Sequence, residues 1–410
     1  MNGKSAIEIA AYSAVILIPF SLKILLAPMM KRYTFLPMGR RRPWLLFGQF
    51  GILCSLIALS FVPHPLDNIF TVTAAALCVH IFIMFQDIAT DSLVIDIVPI
   101  EQQGKANSFM WGSKTIGTSI SLLLGTWLIN TYGFANAVLY MSISVFLIMF
   151  VPLLLRERKG EKLLPWTLGK TSADAALLAV DSWGKLFISF KRVVLLSNSL
   201  LLLIAVFITM TALHFVRTLL PIFTIQELGW TSIFYSKVYS SSNLAGGIIG
   251  MIIGAIVIQR FGIIRLIQGG LILIAILVLT MSFSAPLWKY NNLVIAFIAA
   301  FCTLLTLINI GVLALAMKLC WKRISAIQFT FSMTIFNAGL ASGAALLGFL
   351  RPYFDWQILF VVFTCLIAVS LVILRFIKTT RHKEQVELLE KDYLEILRAE
   401  GTLLVNSEAL

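Results

Sequence analysis

The sequence predicts an all-α membrane protein of two helical bundles and eleven spans, and three observations carry that prediction. Hydrophobic residues make up 59% of the 410 and charged residues only 12%, against roughly 25% charged residues in a soluble domain. The apolar residues fall in continuous runs of about 20 or more, the length a helix needs to cross a bilayer. These runs lack the alternating polar pattern of outer-membrane strands. Basic residues gather in alternate loops, as the positive-inside rule expects of a polytopic protein.

The spans fall near residues 7–30, 43–62, 69–95, 106–129 and 134–155, then 197–224, 232–258, 262–284, 293–317, 324–350 and 356–377. Lys31, Arg32, Arg40, Arg41 and Arg42 follow the first span, Arg156, Arg158, Lys159 and Lys162 the fifth, and Lys318, Lys322 and Arg323 the ninth. Those loops are therefore cytoplasmic, which places the N-terminus outside and the C-terminus inside. The expected units are a five-span bundle over 1–155, a central loop over 156–196, a six-span bundle over 197–378 and a charged tail over 379–410.

Within the central loop, residues 177–190 (LLAVDSWGKLFISF) alternate apolar and polar faces. They predict a helix lying along the inner leaflet, with an unstructured connector as the alternative. In the tail, Val386, Leu389, Tyr393 and Ile396 recur at helical spacing and predict one amphipathic cytoplasmic helix, solvated or resting on the membrane. Gly246, Gly250 and Gly254 form a small-residue face, read as a close helix contact. A weak repeat sets KRY with GRRRPW after the first span against QRFGIIR at 259–265 after the seventh. Paired halves of this kind point to a transporter with its site between the halves near the midplane.

The net charge of +13 is explained by the cytoplasmic loops, so no nucleic-acid partner is expected. Enzyme signatures are absent: Gly169, Lys170 and Thr171 resemble a phosphate loop, but its first glycine would fall on Leu164. His64, His80, His214 and His382 have no metal spacing, and the five cysteines show no CxxC pair. Neither a metal nor a cofactor is expected.

The segment QDIATDSLVID at 86–96 places Asp87, Asp91 and Asp96 at the end of an apolar run, and Lys23 and Lys114 lie inside two others. A charge at the bilayer centre costs roughly 2.5–3.5 kcal/mol, so such groups face a protein interior or wet cavity and pair with one another. Asp87 and Asp91 are four apart and share a helix face, and two carboxylates that close make one of them a candidate proton carrier. Lys23 and Lys114 either neutralise them or bind an anionic group of a substrate. A static ion-pair network is the competing reading. His214 and Arg217, three apart on the sixth predicted span, are further candidates, Arg217 for a substrate carboxylate.

SLKILLAPMMKRY, GRRRPW and QDIATDSLVIDIVPIEQQGKAN resemble segments of the AmpG-type muropeptide permeases and the related acetyl-CoA transporters of the major facilitator superfamily. A fainter resemblance covers 326–360, with Ala326, Gln328, Asp355 and Trp356. The resemblance implies two six-helix bundles and puts Lys23, Gln86, Asp87, Asp91, Lys114 and Gln328 on a substrate or proton pathway. Lys31, Arg32, Arg40, Arg41, Arg42, Asp96 and Arg260 are the gating or cytoplasmic-loop candidates. The sequence departs from the superfamily at its gate: Lys31 and Arg32 stand where Asp-Arg is usual, and the matching turn has Gln259 and Arg260. Gln103 and Gly104 replace the family's Arg-Gly after its fourth helix.

Eleven spans leave the chain one helix short of that family, so it is expected to be a truncated reading with an apolar segment of about 20 residues encoded upstream. A genuine eleven-helix protein is the alternative. The expected function is proton-coupled import of a small solute such as muropeptide across a bacterial inner membrane by a monomer. The alternatives are a siderophore or other small-solute permease, a passive facilitator, and a non-transporting receptor or scaffold.

Overall fold

A computed structural model describes residues 23–63, 65, 68–177 and 183–399 of the chain. Residues 7–22 of the first predicted span, and with them the question of a missing helix, lie outside the described residues. The helices are α1 (Lys23–Arg32), α2 (Arg42–Ser60), α3 (Ile69–Ile97), α4 (Ile100–Leu154), α5 (Ala173–Leu177), α6 (Trp183–Val194) and α7 (Ser197–Gln226). They continue with α8 (Ser232–Phe261), α9 (Ile263–Phe283), α10 (Asn291–Lys318), α11 (Ser325–Leu350), α12 (Trp356–Arg375) and α13 (Thr379–Ala399).

Among the described residues nine helices are long and apolar enough to cross a membrane. The longest, α4, is a hairpin of two predicted spans. Gly133 breaks it with φ 77° and ψ 171°, a region that glycine enters without the Cβ clash other residues meet. The two limbs fold back on each other, since Gly125 faces the Met141 sulfur across the bend.

In the first half α2 packs on α3 and on α4. In the second, α7 packs on α11 and α12, α8 and α9 on α10, and α9 on α12. The larger apolar core lies there, with Phe223 meeting Trp288 at 4.8 Å, Trp356 at 5.4 Å and Phe360 at 5.6 Å between ring centroids. Edge-to-face geometry of this kind favours each pair beyond its buried area. The small-residue face of α8 lies on α10, with Gly246 against the Cys302 backbone, Gly250 against Thr306 and Gly254 against Ile310. The halves join through α4 on α8 and α10, and through α1 and α3 on α11.

Helix α6 buries Leu186 and Val193, sets Phe190 on Phe331 at 5.4 Å, and leaves Phe187 and Ile188 exposed. That is the two-faced pattern of a helix at a membrane surface. The tail helix α13 is not merely solvated or resting on lipid: Tyr393 is buried with Val193, Trp321 and Ile324, and Val386 and Leu389 pack against them. Burying that stripe against α6 and the turn after α10 removes from water the apolar face that the sequence left unpartnered.

Candidate functional site

The site centres on α3, whose sixth and seventh turns carry Asp87 and Asp91 on one face. Lys23 of α1 forms an ion pair with Asp87 Oδ2. Lys114 of α4 approaches the other oxygen, Oδ1, at 3.6 Å. The Lys114 ammonium also lies 5.5 Å from the centroid of the Trp111 ring, close enough for a cation–π attraction. Three helices thus deliver one carboxylate and two ammonium groups to a single point. Asp87 is 25% exposed and Lys114 58% exposed at the side chain, so the cluster borders open space. Asp91 lies in the field of Asp87, Lys23 and Lys114, and no ion pair ties it among the described residues. Gln86 lies under the Gly48 contact between α2 and α3 through its backbone, and its carbonyl accepts from the Thr90 hydroxyl at 2.8 Å.

His214 and Arg217 of α7 line a cavity of about 90 Å³ with Trp111, Asn309 and Phe336. The Trp111 ring that borders this cavity also carries Lys114, so the two groups of candidates are neighbours. Among the described residues, His214 Nδ1 and Asn309 Oδ1 are buried without a hydrogen-bond partner, and an unsatisfied buried polar atom costs about 1–3 kcal/mol. Asn309 and Trp111 were missed in the sequence. The signal for Asn309 was present, since an amide inside the apolar run of α10 is as anomalous as a carboxylate.

A second acidic centre lies toward the basic loops. Asp96, at the last turn of α3, accepts from Arg41 Nε at 2.8 Å and pairs with Arg40 Nη1 at 3.2 Å. Its other oxygen accepts from the Ser325 hydroxyl at 2.7 Å, and Arg41 Nη2 donates to the same hydroxyl at 3.3 Å. Ser325 begins α11, so these contacts tie the two halves together. Lys31 is buried beside the same arginines and Asp96. Burial pushes the Arg40 guanidinium down to about 10, with Asp96 opposing the shift, which leaves it charged at neutral pH.

The GRRRPW turn is organised by a residue the sequence did not flag. Glu157, after α4, accepts from the backbone N–H groups of Arg40, Arg41 and Arg42 at 2.8–3.0 Å. Gly39, at φ 102°, leaves room for it, since a Cβ there would sit 2.4 Å from the Glu157 carboxylate. Arg42, a gating or cytoplasmic-loop candidate, turns its guanidinium toward the end of α4. It donates to the carbonyls of Pro152 and Leu153 at 2.6 and 3.1 Å, satisfying the end of α4.

Three further candidates stand apart from both centres. Gln328, expected on the pathway, accepts from Trp321 N at 2.7 Å and donates to Leu319 O at 2.9 Å. It closes the turn between α10 and α11, because both ends of its amide are engaged there. Arg260 is exposed and lies 5.9 Å from the Phe261 ring, outside the inter-half contacts. Arg32 lies 6.0 Å from the Tyr33 ring.

The sequence matches the Major Facilitator Superfamily over residues 3–333. It is 24% identical over 244 residues to the anhydromuropeptide permease of Escherichia coli strain K12, covering 59% of this chain and 47% of that protein. It is 28% identical over 152 residues to an uncharacterized protein of Haemophilus influenzae, covering 37% and 36%. The chain thus spans about half the length, or less, of these curated relatives. Among solved structures, FucP in the outward conformation aligns with a TM-score of 0.69 at 12% identity, covering 89% of this chain and 90% of that one. The human organic anion transporter MFSD10 aligns with a TM-score of 0.68 at 14% identity, covering 88% and 82%. The likeness to these structures is one of fold. The match over residues 3–333, the paired helical halves and the nine apolar helices agree, and the chain is a multi-pass membrane protein of the Major Facilitator Superfamily.

Proposed function

We propose that this protein is a secondary active transporter of a bacterial inner membrane that imports an anionic cell-wall solute, such as a muropeptide, by alternating access with protons. The observation that carries the reading is Asp87 held between Lys23 and Lys114. Asp91, one turn along α3, has no ion pair among the described residues. With all four groups ionised the cluster is neutral. A proton taken by the Asp87–Asp91 pair leaves one lysine in excess, which attracts an anionic group of the solute. Inward movement of that proton releases about 2.3 kcal/mol per 100 mV of membrane potential. The helices bearing the lysines belong to the moving contacts, since α1 packs on α11 and α4 packs on α8 and α10. Asp96, Arg41 and Ser325 act as the cytoplasmic lock that rocking must break, so the acid absent from the usual gate position is supplied from α3.

The similarity to an anhydromuropeptide permease supports the substrate class. His214, Arg217 and Asn309 offer it polar contacts beside the Lys114 site.

Uptake of radiolabelled anhydromuropeptide into proteoliposomes under an imposed pH gradient tests the proposal. Wild type accumulates the solute. Asp91→Asn, which keeps size and hydrogen bonding but cannot ionise, is expected to abolish accumulation while its stability stays within about 0.5 kcal/mol. Undiminished accumulation by Asp91→Asn and Asp87→Asn would end the proton-carrier assignment. Uptake of a siderophore and not of the muropeptide would replace the substrate.

A further inference from the structure

A cavity of about 430 Å³ opens on the basic-loop face between α13 and the turn joining α10 to α11. The transport reading makes no use of it. Its lining is apolar at Ile100, Trp321 and Val386 and basic at Lys318, Lys322 and Lys383. The start of α13 adds the hydroxyls of Thr379 and Thr380. The first-turn N–H groups of a helix have no acceptor within it and carry its positive dipole end.

Charge is graded along the cavity. His382 Nε2 meets Leu319 O at 2.8 Å, which sets the first turn of α13 beside Lys318. Glu390, two turns on and about 12 Å away at 1.5 Å per residue, is engaged by Trp321 Nε1 at 2.6 Å and by Arg323. Glu387 lies 3.8 Å from Lys383. Both lining carboxylates therefore have a cation or donor of their own, while Lys318 and Lys322 make no ion pair among the described residues. His382, only 2% exposed, donates from Nε2 and so keeps Nδ1 as an unpartnered acceptor beside this end, a place for the P–OH of a monoanionic phosphate.

We propose that this cavity binds a small organophosphate with an apolar body, its phosphate on Lys318, Lys322 and the first turn of α13, its body on Trp321 and Val386. Lysines, hydroxyls and helix N–H groups are the donors that recognise phosphate, and the volume suits a molecule of mononucleotide size. The ligand is a soluble cytoplasmic phosphate ester or the headgroup of an anionic lipid, which share this chemistry. Ile100 opens α4 and Ser325 lies four residues beyond Trp321, so an occupant would brace the tail helix and the inter-half turn next to the Asp96 lock.

The probe is phenyl phosphate, with phenol and inorganic phosphate alongside, added to the full-length protein in detergent. Cys320 lines the cavity, so its labelling by N-ethylmaleimide, read by mass spectrometry, reports occupancy together with the melting temperature. Phenyl phosphate is expected to slow Cys320 labelling and raise the melting temperature, and phenol to do neither. Lys318 and Lys322 are exposed, and the Lys318→Gln/Lys322→Gln variant should fold and bind about tenfold more weakly. In nanodiscs, protection by phosphatidylglycerol over phosphatidylcholine without added probe assigns the site to a lipid headgroup. Protection by phenyl phosphate in both lipids assigns it to a soluble ester. Absence of protection from either source, or equal protection in the double variant, overturns the proposal. None of these readouts requires transport, so their failure and the failure of the transport reading are separable.

Discussion

Helix α3 carries two acidic centres of opposite character. Asp96 has no exposed side-chain surface, and its partners Arg40 and Arg41 are 2% and 1% exposed, with Ser325 on its second oxygen. Asp87, nine residues earlier, shares two lysines, one of them more than half exposed, and its neighbour Asp91 has no ion pair among the described residues. A buried carboxylate with both oxygens engaged favours one arrangement of its helices, whereas an incompletely paired cluster beside open space can change charge and partner. In the proposed transport cycle the first serves as the lock and the second as the working site.

The comparison breaks most readily at Asp96. Asp96→Ala strands two buried guanidinium groups and is expected to cost about 3–5 kcal/mol, seen as a large fall in melting temperature. Asp91→Ala should scarcely move it, and equal losses would erase the distinction between the centres. The working site is sharpened by a double-mutant cycle of Lys23→Met with Asp87→Asn. Each change removes one partner of the other side chain, so the pair is expected to be non-additive by up to about 3 kcal/mol. Additivity would mean that Lys23 does not stabilise Asp87.

The two basic turns provide a third contrast. Gly39→Ala meets both a left-handed φ and the Glu157 carboxylate, while Gly262→Ala, at φ 87°, meets open space. Strain of about 1–3 kcal/mol is expected at Gly39 and a smaller loss at Gly262, measured by denaturation of each variant. A reversed order would show that Glu157 does not organise the GRRRPW turn.

The smallest effect concerns the tail. Burial lowers the His382 pKa below its ordinary 6.5, so the undocked helix takes up a proton that the docked one resists. Docking is then fully present above about pH 6.5 and weakens as pH falls below it. Hydrogen exchange of residues 379–399 should rise on acidification in wild type and lose that dependence in His382→Gln.

The spans from α2 to α12 were legible from hydropathy, because a bilayer demands long apolar helices whatever packs beside them. Lys23, Asp87 and Lys114 were legible as a group for the same reason: charge is costly in hydrocarbon, and three anomalies in three spans have few other partners. Tertiary structure alone decided which acid serves which base. Asp96 meets Ser325 across 229 positions, and nothing in the basic turn itself says that an acid from α3 lies against Arg40 and Arg41. Glu157, the partners of Gln328 and the surface that receives α13 were equally out of reach. Hydropathy reads the solvent around each helix, but hydrogen bonds to a loop's backbone depend on where distant helix ends arrive. That placement is set by packing between elements and leaves no periodic trace in the chain.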